Sequence, residues 1–336
     1  MGHATRCIPI INALIETNFT PIIASDGIAL EFLKKEFPKL KFYKLPGYAI
    51  SYSKKSKWFK FHLLLKTPTL FSAVIKEHEI VQKIIEKEQI LGIISDNRFG
   101  VYSKKVPSVY ITHQLKVFSG STTWLTSKIH QKIIQKFEVC WIPDVASKAN
   151  LSGTLSRIKF NKIPIKYLGV LSRFNKKDIQ KKYGILVLLS GVEPQRTLFE
   201  NKLIKELSNF KGNVLLVRGI LKESKIKTAS NFTVVNYLLA AELEKAILQS
   251  SLVIARSGYS TIMDLAVLNA NAFFIPTPGL FEQEYLAKYL FEKYEIPFVK
   301  QDNFKLATIK NANKKCEFGI FSSKINLEIF SLFQRK

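Results

Sequence analysis

The sequence predicts an α/β fold in two doubly wound, Rossmann-like domains, and three observations predict it. The chain has 336 residues, 47% of them hydrophobic, which is more than one ordinary core absorbs and enough for two domains. From Phe19 onward short apolar runs alternate with longer amphipathic stretches, the pattern of parallel sheets covered by helices. Around Asn150, Ser152, Gly153, Thr154, Ser156 and Pro164 this alternation lapses and then resumes, which marks a linker.

In the first series, strands are expected at Thr20 to Ala24, Lys41 to Leu45, Ile90 to Ser95, Ser108 to Thr112 and Glu138 to Ile142. Helices are expected over Thr5 to Thr17, Ile28 to Phe37, Lys57 to Lys87 with a break near Pro68, and Trp124 to Phe137. The second series offers strands at Gly184 to Leu189, Asn213 to Arg218, Phe232 to Asn236, Leu252 to Ala255, Ala272 to Pro276 and near Pro297. Its helices fill Pro194 to Ser208, Ala240 to Ser250, Thr261 to Leu268 and Phe281 to Tyr294. The expected domains are therefore 1–160 and 165–320, with 321–336 a terminal helix packing back on the first. Met1, Gly2 and His3 run at once into a helix whose Ile8, Ile11, Leu14 and Ile15 share a face. A glycine turn opening a helix ordinarily follows the central strand of such a sheet, so the first strand of the amino-terminal domain is expected to be missing from the sequence as given.

No apolar run approaches the roughly 18 residues of a membrane span, and no secretory pattern opens the chain, so a soluble cytoplasmic protein is expected. Cys7, Cys140 and Cys316 are odd in number and far apart, which argues against a disulfide framework or a zinc site. A net charge of +25 attracts polyanions, anionic membranes or phosphorylated substrates, although lysine-rich usage can also reflect genome composition. Between Lys39 and Lys66 no acidic residue occurs, and Lys54, Lys55, Lys57, Lys60 and Lys66 alternate with Tyr52, Trp58, Phe59 and Phe61. That mixture suits an anionic membrane surface at about 1 kcal/mol per lysine, and equally a helix burying Trp58, Phe61 and Leu65.

The most informative stretch runs from Ser251 to Tyr289. A buried strand, Leu252 to Ala255, empties through Arg256, Ser257 and Gly258 into a helix carrying Thr261 and Asp264. Backbone N–H groups at such a helix start face the crevice beyond the strand and favour anions by about 0.3 to 1 kcal/mol. Asp264, one turn inside, is placed to accept both hydroxyls of a ribose, or else to serve as an ordinary dipole-complementing acid. Earlier, Leu188 and Leu189 end another strand at Ser190 and Gly191, followed by Pro194 and Arg196 on the next helix. This loop offers backbone N–H groups and a guanidinium to a pyrophosphate.

The series Arg256, Ser257, Gly258, Thr261, Asp264, Leu265, Ala266, Pro276 and Gln283 resembles the donor-binding signature of glycosyltransferase family 28, the MurG-like UDP-sugar-dependent transferases. Ser190 and Gly191 are similar to the Gly-Gly-Ser loop of that family, and Gly2, His3 and Arg6 to its Gly-His-x-x-Arg turn. The resemblance implies the GT-B architecture, two Rossmann-like domains with parallel sheets facing across a cleft. It implies that Asp264 holds the ribose of UDP, that Gln283 bonds the donor sugar, and that Gly2 lies at the phosphates. It further implies transfer of a hexosyl or N-acetylhexosaminyl group to a lipid-linked or saccharide acceptor, with inversion, without metal and with no cofactor besides the UDP-sugar. Asp264 is one methylene shorter than the family's Glu, and Ala287 stands where the family places an Asn, which leaves the sugar open.

His3 is the candidate base, with Asp96 and His113 as rivals because each follows an expected strand; Asn97, Arg98 and Gln114 would shape the acceptor side. A peripheral association with the inner face of the cell membrane fits a lipid-linked acceptor in a cell-envelope polysaccharide pathway; no nucleic acid partner is expected. Two other readings stay open: a UDP-sugar epimerase of the same fold, and a non-enzymatic polyanion-binding protein, which predicts steeply salt-dependent retention on nucleic acid.

Overall fold

A computed structural model describes residues 2–48, 67–158, 162–191, 193–310 and 317–334. The chain separates into two compact units, an amino-terminal one built from His3–Ile50, Lys57–Leu171 and Lys324–Lys336, and a carboxy-terminal one built around Ser172–Ser323.

In the amino-terminal unit the described elements run α1 (Gly2–Glu16), β1 (Ile22–Ser25), α2 (Gly27–Glu36), β2 (Lys41–Lys44), α3 (Thr67–Glu88), β3 (Ile93–Asp96), β4 (Ser108–Ile111), α4 (Thr123–Ile134), β5 (Val139–Ile142) and β6 (Ile165–Tyr167). Strands β3, β4, β5 and β6 form one parallel sheet in that order, and β1 pairs in parallel with β2 in a second. Val109, Tyr110 and Ile111 of β4 and Cys140, Trp141 and Ile142 of β5 are wholly buried, as strands covered on both faces must be. On α1, Ile8 and Ile11 are buried as their spacing predicts, whereas Ile15 is exposed. A terminal 3₁₀ helix, Leu327–Gln334, sets Phe330 and Phe333 edge-on against Trp141, with ring centroids 6.0 and 6.2 Å apart.

The break between units falls after Leu171, because Ile165–Tyr167 pairs with β5 and so closes the first sheet instead of opening the second series. Most of the basic aromatic stretch between Lys39 and Lys66 lies outside the described residues, as does Cys316.

The carboxy-terminal unit continues with β7 (Tyr183–Leu188), α5 (Gln195–Leu207), β8 (Val214–Val217), β9 (Phe232–Val235), α6 (Ala240–Leu248), β10 (Ser250–Ala255), α7 (Tyr259–Leu268), β11 (Ala272–Phe274) and α8 (Phe281–Tyr294). Its five strands are all parallel in the order β11-β10-β7-β8-β9. The strand expected near Pro297 is a single bridge between Phe274 and Phe298. One face of the sheet packs Ile185, Val187, Leu216, Ile254 and Phe273 against Phe199, Leu203 and Leu207 of α5, which makes a continuous core.

Candidate functional site

In the carboxy-terminal sheet the first strand, β7, lies in the middle, with β8 and β9 to one side and β10 and β11 to the other. The chain order reverses between β7 and β10, and ligands of open α/β sheets sit beyond the carboxyl ends of the strands at such a reversal. The loop after β7 carries Ser190 and Gly191, and the loop after β10 carries Arg256, Ser257 and Gly258, so the sheet itself brings the two predicted loops together.

Gly191 has φ 105°, a conformation side chains disfavour, and a Cβ there would meet nothing within 4 Å, so its backbone faces open space. Behind it, Gly219 at φ 69° comes so close that a Cβ would lie 2.5 Å from the Leu189 carbonyl oxygen. Gly258 is the N-cap of α7 and has no side chain with which to cap it, so the partly positive start of that helix lies at this loop. Thr261 is half-buried in the first turn of α7.

Asp264 is buried on the same helix, accepts a 2.7 Å hydrogen bond from the Ser172 hydroxyl, and lies 3.9 Å from Arg173 Nε. Burial pushes its carboxyl up to about 6, against the opposing pull of Arg173 and Ser172. Gln283, on α8, accepts from the Thr277 N–H through Oε1 at 2.8 Å, which orients its amide so that the NH₂ group is left to donate. Ser257 is buried and donates to the Gln283 carbonyl at 2.7 Å, tying the β10 loop to α8.

Two arginines expected at the donor are committed elsewhere. Arg256 is 1% exposed; it stacks over Phe199 at 3.7 Å, donates to the carbonyls of Ile275 and Pro276, and bonds Gln301 at 2.5 Å. Burial pulls its guanidinium down to about 9. Arg196 is buried too, bonded to Glu193 at 2.6 Å and 3.4 Å from Glu200, which in turn grips Arg218 at 2.6 Å. Both side chains brace the loops from below. Ser172 and Arg173 carry no strand signal and were not expected; a serine and an arginine directly after the apolar residues Leu168, Val170 and Leu171 are their only sequence mark.

In the amino-terminal unit the three rival bases prove to be one cluster, gathered by Arg6. Its guanidinium makes a two-pronged bond with Asp96, one prong 2.6 Å long, and Nη1 donates to His113 Nδ1 at 3.0 Å. His3 Nδ1 lies 2.9 Å from Arg6 Nη2 and 3.0 Å from Asp96 Oδ1, while its ring is 56% exposed. Burial alone would raise Asp96, but Arg6 and then His3 outweigh it and hold the carboxyl well below the usual carboxylate range. His113 is buried and Gly2 begins α1. Arg98 is bound to Glu77 and, at 2.5 Å, to Asp26, and Gln114 stands 3.4 Å from His113 Nε2. Among the described residues no three His, Cys, Asp or Glu side chains are grouped as metal ligands.

Residues 192–321 match the glycosyltransferase family 28 C-terminal domain. Over 74% of this chain and 69% of the relative, the sequence is 24% identical to a UDP-N-acetylglucosamine–N-acetylmuramyl-(pentapeptide) pyrophosphoryl-undecaprenol N-acetylglucosamine transferase of Haemophilus ducreyi. Its namesake in Buchnera aphidicola is 25% identical over 85% of this chain and 77% of the relative. Among solved structures, the spinosyn forosaminyltransferase SpnP has a TM-score of 0.62 at 11% identity, covering 94% of this chain and 88% of its own. MurG of Acinetobacter baumannii has a TM-score of 0.52 at 11% identity, covering 99% and 89%. The likeness first read from Arg256 to Gln283 thus holds for fold and sequence alike: the chain is a GT-B glycosyltransferase resembling glycosyltransferase family 28.

Proposed function

We propose that the protein transfers an N-acetylhexosaminyl or hexosyl group from a UDP-sugar to a lipid-linked acceptor. The observation that carries this reading is the strand reversal between β7 and β10, which sets Ser190, Gly191 and the start of α7 at one sheet edge, with Asp264 one turn further on. The names of the relatives, which specify a UDP-N-acetylglucosamine donor and an undecaprenol-linked acceptor, support the same substrate classes.

In this reading Asp264 accepts the ribose hydroxyls, and the N–H groups of Ser190, Gly191 and the first turn of α7 take the diphosphate. Gln283 donates its NH₂ group to a sugar oxygen. His3, with Nδ1–H donating to Asp96, takes the proton of the acceptor hydroxyl at Nε2 as the oxygen attacks the anomeric carbon and UDP departs, inverting that centre. Helix and backbone donors offset the leaving charge, so transfer proceeds without a divalent ion or cofactor. Arg196 and Arg256 hold the loops and do not themselves meet the donor.

A lipid-linked acceptor requires approach to a membrane at the inner face of the cell envelope. The outer face of α4 supports this, because Trp124, Leu125 and Ile129 are 71%, 50% and 52% exposed and Lys128 lies 5.2 Å over the Trp124 ring. Exposed aromatic and aliphatic side chains beside lysine favour an anionic lipid interface.

The deciding experiment incubates the protein with UDP-N-acetylglucosamine with and without an undecaprenyl-pyrophosphate-linked saccharide, with EDTA present. Acceptor-dependent release of UDP supports the proposal. Conversion of the sugar nucleotide without acceptor identifies an epimerase instead, and absence of UDP binding with salt-sensitive retention on nucleic acid identifies a polyanion-binding protein.

A further inference from the structure

The polar cluster around Arg6 extends inward beyond the groups assigned to chemistry. Asp96 ends β3 and is followed by Asn97, whose φ of 54° is left-handed, a conformation that most residues disfavour. The turn is held at two points. The Ser95 hydroxyl donates to the Arg98 carbonyl at 2.7 Å, and the hydroxyl of Tyr110, wholly buried on β4, donates to Asn97 Oδ1 at 2.8 Å. Tyr110 is in turn 3.0 Å from Nε2 of His130, a buried residue of α4.

The direction of this chain is fixed by chemistry. Burial pulls His130 down to about 4, so its ring is neutral, and burial together with Asp96 raises the Tyr110 phenol, which keeps its proton. A neutral His130 with hydrogen on Nε2 donates to Tyr110, and Tyr110 spends its single hydrogen on Asn97.

What this turn controls is the ring of His3. One nitrogen, Nδ1, lies 3.0 Å from Asp96 Oδ1 and 2.9 Å from Arg6 Nη2, and it cannot serve both in one tautomer. If Nδ1–H donates to Asp96, Nε2 is left as an acceptor for a proton; if Arg6 donates to Nδ1, the hydrogen sits on Nε2 and the ring is no base. The position of the Asp96 carboxylate decides between them.

We propose that Tyr110 and Asn97 are positioning residues which, by fixing the turn after β3, aim Asp96 at His3 and set its tautomer. The inference rests on the reading of His3 as base but is tested apart from it. In the full chain, nitrogen NMR of the histidine rings, with His3 assigned by its loss in His3→Gln, reads the tautomer directly. The expected result is an Nδ1–H ring in the parent protein and a shift toward Nε2–H in Tyr110→Phe, with UDP binding unchanged and kcat lowered about ten-fold. Should Tyr110→Phe not fold, Asn97→Gly, which keeps the left-handed backbone and removes the side chain that accepts from Tyr110, gives the same readout. An unchanged His3 tautomer in either folded variant overturns the proposal. A shifted tautomer with unchanged kcat leaves Tyr110 as a positioning residue and removes His3 from catalysis.

Discussion

The Ser172 hydroxyl donates a 2.7 Å hydrogen bond to Asp264 Oδ1, so the first residue of the carboxy-terminal unit holds the carboxylate proposed to receive a ribose. Because burial raises Asp264 to about 6, the ionised acceptor is lost at mildly acid pH. UDP affinity is expected to be constant above pH 7 and to fall about ten-fold by pH 5, as each unit below the pKa costs about 1.4 kcal/mol. Stability moves the opposite way. The folded pKa lies above the unfolded value of about 3.9, so the unbound protein binds the proton more tightly when folded and gains stability from this group as pH falls from 7 through 6 toward 4. Calorimetric titration and melting curves over that range check both signs, and Asp264→Asn should abolish both dependences.

Arg256 provides a separate test of brace against ligand. Its guanidinium is consumed by Ile275, Pro276, Gln301 and the Phe199 ring. Lysine cannot reproduce that planar fork, so Arg256→Lys is expected to lower stability by about 2 kcal/mol, a magnitude typical of hydrogen bonds to a charged group. UDP affinity of the folded fraction should stay within about two-fold, since uniform contacts to ligand are untouched. A loss of affinity above ten-fold at unchanged melting temperature would place the side chain on the donor instead.

These arginines also show where reading the sequence stops. Ser190, Gly191, Gly258 and Asp264 were legible because each follows a buried strand by a fixed local offset, and the parallel sheet delivers such positions to one edge. The commitment of Arg256 was not, because its partners Gln301 and Phe199 are brought to it by packing of distant segments, whereas Arg196 has Glu193 and Glu200 within one turn on either side, a local spacing that the likeness to a phosphate loop overshadowed. The second domain was read as starting near Ile165 because β6 is only three residues long and lies at a sheet edge, too short for its alternation of half-buried Ile165 and Tyr167 about exposed Lys166 to register as a strand of the first sheet. His3, Asp96 and His113 were separately visible as rivals, while Arg6, which joins them, was seen only as part of a turn.

Gly219 is expected to be irreplaceable for a reason outside the family likeness. At φ 69° with a Cβ 2.5 Å from the Leu189 carbonyl, alanine must strain its own backbone and push the end of β7. Gly219→Ala should cost about 1 to 3 kcal/mol of stability and displace Ser190, weakening UDP binding. Gly191→Ala meets no neighbouring atom and should pay only the conformational term, so its melting temperature should fall less; equal losses would show that the contact with Leu189 is unimportant.

The exposed face of α4 predicts a separable membrane function. Trp124 and Ile129 are more than half exposed, so their replacement by serine removes little packing. Trp124→Ser with Ile129→Ser is expected to leave the melting temperature and the transfer rate to a short-chain soluble acceptor unchanged. Retention on vesicles containing anionic lipid should drop by about a hundred-fold or more, because each buried apolar side chain contributes about 1.5 to 3 kcal/mol and only Leu125 and the lysine charge remain. Sedimentation with vesicles at two salt concentrations separates the contributions. The apolar one persists at high salt in the parent protein and falls in the variant to what Leu125 supplies, whereas retention that high salt abolishes in both would mean that α4 does not enter the lipid and that charge alone holds the protein there.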